Sequence, residues 1–154
     1  MLKAGTIEAN LEFDFDKEGK VKDNYKILGS ITNAKIQLFN KQVISDIDFN
    51  FDIQKELYKI KNNKIQYKEI NFLSENIEII DNQKFFIIDG DIKSEVDKFN
   101  SEKISSFLKH GLKDYKIKNL KFSTSNNFKL KLSKKFKISD FTVQSKIKLD
   151  SLNY

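Results

Sequence analysis

The chain is dominated by a two-residue alternation of apolar and polar side chains. Leu11, Phe13 and Phe15 alternate with Glu12, Asp14 and Asp16, and the run "DKEGK" then turns the chain. Tyr25, Ile27, Gly29 and Ile31 resume the pattern, and Ile47, Phe49, Phe51 and Ile53 alternate with Asp48, Asn50 and Asp52. The same reading places strands at 77–79, 85–92, 128–132 and 147–149. Successive side chains of a strand point to opposite faces, so the pattern predicts antiparallel sheet with one apolar face and one wet face.

One phrase recurs within these strands. It reads "ITNAKIQL" from Ile31, "ISDIDFNF" from Ile44, "YKEINFLS" from Tyr67, "IKNLKFST" from Ile117 and "ISDFTVQS" from Ile138. In each, an apolar residue is followed three places later by another, and the step of two then resumes. A step of three inside a period of two throws the rest of the strand onto the wrong face unless one residue is absorbed in a bulge or corner. The third position holds Asn33, Asp46, Glu69, Asn119 or Asp140. Asn and Asp suit such a place because they tolerate left-handed backbone angles and bond to nearby backbone groups. Bulges in neighbouring strands bend a sheet. The expected fold is therefore mainly β: a curved antiparallel sheet, a β-groove or open sandwich, forming one unit over residues 1–154.

A single segment departs from this period. From Val96 the apolar residues fall at Phe99, Ile104, Phe107, Leu108 and Leu112, a helical spacing. Ser101 or Asn100 can cap its start and Gly111 can end it, which predicts a short amphipathic helix over about 101–110. His110, the one histidine, falls at its C-terminal end and suits the helix dipole as a surface residue.

Composition narrows the chemistry. The formal charge is +6, but every basic residue is Lys, and the lysines are spread among Asp and Glu. Arg, the better side chain for bidentate phosphate and base contacts, is absent. A nucleic-acid partner is not expected. Without Cys there is neither a disulfide nor a thiolate metal site, and one His with no metal-ligand spacing predicts no metal centre and no cofactor. Paired carboxylates occur at Asp14/Asp16 and at Asp46/Asp48/Asp52, on the wet alternate positions of strands. No nucleophile elbow or phosphate loop is present, so no enzyme is expected. The opening "MLKAGTIEANLEFDFD" passes straight into alternation, which fits a cytosolic chain or one whose natural start lies upstream.

The strands "ISDIDFNFDIQKELYKIKNNKIQYKEINFLSENIEI" and "FFIIDGDIKSEV", with "IKNLKF" at 117–122 and "IDGDIKS" at 88–94, resemble the AsmA-like family, especially its large YhdP- and TamB-type members. The likeness runs from about Ile31 to Leu149. It implies a repeating β-groove with a hydrophobic interior, tethered to the inner membrane through parts outside this chain and crossing the periplasm of a Gram-negative cell. The implied partners are phospholipid or fatty acyl chains carried toward the outer membrane, together with the remainder of a larger membrane-anchored polypeptide. The residues expected to line the lipid groove are Phe49, Phe51, Phe72, Ile77, Ile79, Phe122, Phe141 and Val143. The alternative is a closed β-sandwich scaffold or adhesion module in which the same residues are core. An open groove exposes pairing edges, so self-association through the terminal strands is also expected.

Overall fold

A computed structural model describes residues 2–37, 42–107 and 117–153. Its strands are β1 (Leu2–Glu12), β2 (Lys26–Gln37), β3 (Val43–Gln54), β4 (Leu57–Tyr67), β5 (Ile70–Asp81), β6 (Phe85–Phe99), β7 (Asn119–Ser133) and β8 (Ile138–Asn153). Each pairs antiparallel with the next in sequence, giving one eight-stranded sheet in the order β1 to β8. The sheet is curved and does not close, so β1 and β8 are free edges. Among the described residues no second sheet covers either face.

The alternation reads correctly onto this sheet, with two departures. Phe13 and Phe15 lie past the end of β1, where Phe15 bridges Val21 across the turn. Strand β4 escaped the periodic reading because its apolar residues step from Ile60 to Ile65, and Asn62 between them takes φ 52° in a bulge. That interruption hides the strand from a period-two search while keeping Tyr58, Ile60 and Ile65 on one face.

The predicted bend positions divide. Asn33 (φ 52°) and Asp46 (φ 49°) occupy left-handed bulges within β2 and β3, as their phrase implies. Glu69 (φ 66°) is left-handed too, but it forms the β4–β5 hairpin turn with Lys68 (φ 49°). Asn119 begins β7 without a left-handed angle, and near Asp140 the extra residue of β8 falls at Ser139. A further in-strand bulge, at Lys98 (φ 59°) in β6, carries no Asn or Asp and so gave no signal.

The helix α1 (Ser101–Phe107) follows β6. Asn100 caps it, its Oδ1 accepting the Lys103 N–H at 2.9 Å. Ser101 instead joins the returning chain: its Oγ accepts the Ile117 N–H at 2.9 Å, and its own N–H is donated to the Ile117 carbonyl at 3.1 Å. Leu108, His110, Gly111 and Leu112 lie outside the described residues. A helix this short needs tertiary support. It gets it by setting Ile104 into a buried cluster with Ile70, Val96 and Phe99, with Phe72, Leu120 and Phe122 packed around it. The core of the molecule is thus at one end of the sheet, on the face bearing Val96.

The salt bridge from Lys103 to Glu69 also ties α1 to the β4–β5 turn, and hydrogen bonding from Lys103 holds the Glu69 carboxyl below its ordinary range. A carboxyl with a depressed folded-state pKa stabilises above its unfolded value, about 4.3, and that contribution fades as pH falls through the lower folded value. Protection of the α1 amides, with the intrinsic pH dependence of exchange divided out, is therefore expected to fall below about pH 4, and the Glu69→Gln variant should lose that acid dependence. Ile104→Ala should cost about 2–3 kcal/mol in urea unfolding, whereas Ile147→Ala on the exposed edge should change little.

Candidate functional site

Cross-strand register places the apolar residues in two unbroken rows. One runs Leu11, Ile27, Ile53, Tyr58, Ile79, Ile88, Leu130, Phe141, each the direct partner of the next. The second runs Ala9, Gly29, Phe51, Ile60, Ile77, Gly90, Phe128, Val143. No charged or hydrogen-bonding side chain interrupts either row except the Tyr58 hydroxyl. Seven interstrand spacings of about 4.8 Å make each row on the order of 30 Å long across the sheet.

Where β1 to β5 cross these rows lies a pocket of about 390 Å³ whose exposed lining is wholly apolar. Ile7, Ile31, Phe49, Phe51, Ile53, Tyr58, Lys59, Ile60 and Ile79 line it. The rings of Phe49 and Phe51 meet edge to face, 6.4 Å apart. Phe51 lies against the backbone of Gly29: a Cβ added there would stand 2.4 Å from Phe51 Cζ and 2.3 Å from the Glu8 carbonyl oxygen. The glycine lets the aromatic ring drop onto its own sheet and keeps β1 at pairing distance.

A belt of small polar side chains crosses the same face between the apolar rows and the core under α1. Asn63 pairs with Ser74 across β4 and β5, and Ser94 with Thr124 across β6 and β7. Ser94 and Thr124 share a hydrogen bond at 2.8 Å, and the Asn126 amide donates to Thr124 Oγ1 and to the Ile92 carbonyl, each at 3.1 Å. Ser74 is only 4% exposed, yet its Oγ has no partner, nor has the buried Asn63 Oδ1. Buried polar atoms without partners are uncommon and mark a place where a ligand group or water can add hydrogen bonds.

The belt coincides with the bulges. Extra residues at Asn33, Asp46 and Asn62, and one in β5 between Leu73 and Ile77, all fall beside it. Carboxylates of adjoining strands satisfy the freed backbone donors. Asp48 Oδ1 accepts the Asn33 N–H at 2.7 Å, and Asp91 accepts those of Glu75 and Asn76 at 3.1–3.3 Å. The wet face is otherwise laid out in opposite charges: Asp52 faces Lys59, Asp48 faces Lys64, and Lys59–Glu78 and Lys129–Asp89 are cross-strand salt bridges. Of the acidic runs visible in sequence, Asp48 and Asp52 stand across from lysines in register. Asp14 and Asp16 instead hold the turn after β1, accepting from the Asn24 amide and from the Glu18 and Lys20 N–H groups. Among the described residues no three His, Cys, Asp or Glu side chains gather to hold a metal, and no helix is long and apolar enough to cross a membrane.

The expected groove residues separate into two groups. Phe49, Phe51 and Ile79 line the pocket, Ile77 continues its row, and Phe141 and Val143 end the rows at β8. Phe72 and Phe122 lie on the same face but beyond the belt, packed against the core cluster under α1. Sequence reasoning did not single out Ile7, Ile31, Tyr58 or Ile60, which were readable only once register had aligned the strands. The polar belt gave one faint signal, the small polar run "STSNN" at 123–127 inside an otherwise alternating strand.

No family model matches the chain, and neither a curated protein nor a solved structure does.

Asp91→Ala should leave the Glu75 and Asn76 amides to water, cost about 1 kcal/mol, and raise their hydrogen exchange well before the global unfolding transition moves. Equal exchange at both amides in the variant and the parent would show that the carboxylate does not hold the bulge.

Proposed function

We propose that this chain is a lipid-holding segment of a bridge-like protein, in which the open apolar face shelters acyl chains. The observation that carries the reading is the pocket with wholly apolar exposed lining, set in two apolar rows that no second layer among the described residues covers. Contiguous exposed apolar surface on this scale is costly in water and is characteristic of ligand or partner sites. Each methylene laid along the rows leaves water with a gain of about 0.8 kcal/mol. One leaflet's acyl chain spans about half of a ~30 Å hydrocarbon core, so either row is long enough to take it. The belt of small polar side chains bounds the rows, so an acyl chain laid along them stops short of the core under α1.

The resemblance to AsmA-like proteins adds direction to this reading. It makes the segment part of a periplasmic conduit between inner and outer membranes, tethered through a larger polypeptide, with lipid moving passively along the apolar face. No chemistry is needed. The segment's work is to lower the cost of an acyl chain leaving a membrane.

Native mass spectrometry of protein incubated with palmitate or phosphatidylethanolamine vesicles tests this. Bound lipid is expected on the parent chain, and Phe51→Asp, which sets a carboxylate in the pocket, should reduce occupancy at least tenfold while the β circular dichroism is retained. Failure of the parent to take up either lipid overturns the reading and leaves the face to a protein partner.

A further inference from the structure

We propose that a second copy of this chain adds to the sheet, its β1 edge pairing antiparallel with the β8 edge of the first. The inference does not depend on what occupies the apolar face. It rests on the state of the two edges. Every residue of β8 is exposed, as is every described side chain of β1. Yet both strands carry the same apolar positions as the interior: Ile7 is 61% exposed, Val143 49% and Ile147 72%.

Natural edges are guarded by proline, by lysine and other charges, by short or bulged strands, or by a covering element. Here the apolar face of β8 bears no charge between Phe141 and Leu149, and the chain has no proline. The bulges of β8 lie at Ser139 and Asp150, and the stretch between them pairs without a shift. Strand β1 is likewise regular from Thr6 to Glu12. The lysines of β8 between its bulges, Lys146 and Lys148, stand only on its wet face, so each edge presents a regular stretch whose apolar side carries no charge.

Parity and register fit them to each other. With eight strands alternating in direction, a copy translated along the rows presents β1 antiparallel to β8. Continuing the apolar rows without a break sets Leu11 opposite Phe141 and Ala9 opposite Val143, so that the regular run Thr6–Glu12 faces Asp140–Lys146. Beyond the Ser139 bulge the same alignment brings Lys137 level with Asp14, and Lys135 level with Asp16. Two acids that follow β1, Asp14 and Asp16, thus meet two lysines of the hairpin that precedes β8, while Lys17 and Lys20 balance the rest of the turn. One like-charge pair, Glu12 with Asp140, opposes the contact. The contact is heterologous, because β1 and β8 are different surfaces, and repetition gives an open row of copies rather than a closed dimer.

The absence of native cysteine allows a direct test. Partners directly across an antiparallel pair have Cα atoms about 4.5–5.5 Å apart, within disulfide reach. Ala9→Cys and Val143→Cys chains of different tag mass are mixed under mild oxidation. Mixed Ala9→Cys/Val143→Cys disulfides should predominate over either symmetric product, and the parent's sedimentation coefficient should grow with concentration. Asp140→Lys removes the opposing pair and should raise the association constant several-fold. A parent that sediments as monomer at all concentrations, or symmetric disulfides outnumbering the mixed one, overturns the proposal.

Discussion

Everything in this structure depends on keeping side-chain parity across eight strands. A strand shows alternate faces at alternate residues, so a one-residue slip between any two neighbours would turn an apolar row into a polar one. The rows from Leu11 to Phe141 and from Ala9 to Val143 exist because no net slip is present between β1 and β8 along them. The extra residues that do occur are confined to the polar belt and to the ends of strands, where they cannot disrupt the rows.

Confinement of the bulges also divides the face chemically. On one side are apolar rows with glycine at Gly29 and Gly90, allowing Phe51 and Phe128 close to the backbone. On the other side α1 seals Ile70, Val96 and Phe99 into a core. Between them the bulged backbone donates its freed N–H groups to Asp48 and Asp91 on the wet face, while small polar side chains line the apolar one. The sealed end anchors the sheet, and the apolar rows lie at the other end of the same strands.

The opposite face is laid out in cross-strand charge pairs rather than in apolar contacts. Lysines alternate with acids across strands, as in Lys59 with Glu78 and Lys129 with Asp89. Each such exposed pair contributes little alone. Their regular spacing nonetheless disfavours register slips, since a slip would bring like charges together.

Much of this was legible in the order of residues alone. Period-two alternation identified the sheet, its two faces and most of its strands, and the Ile/Asn/Asp phrase located the bulges at Asn33 and Asp46. Local chemistry sufficed there, because alternation and left-handed tolerance are properties of neighbouring residues. The helix start was equally local, resting on the Asn100 cap, although the Val96–Phe99 step read as helical belongs to β6 and its Lys98 bulge. What lay beyond reach was register. Strand β4 was hidden by its own bulge, and Lys98 bulges without an Asn or Asp to announce it. The division of the phenylalanines into Phe51 on the open face and Phe122 in the core was decided by which strands came to lie side by side and where α1 settled. The pairing of Ser74 with Asn63 likewise follows from alignment across a turn. Sequence determined which side of each strand would avoid water; only the tertiary structure decided which of those sides would be covered, because covering is a contact between residues far apart in the chain.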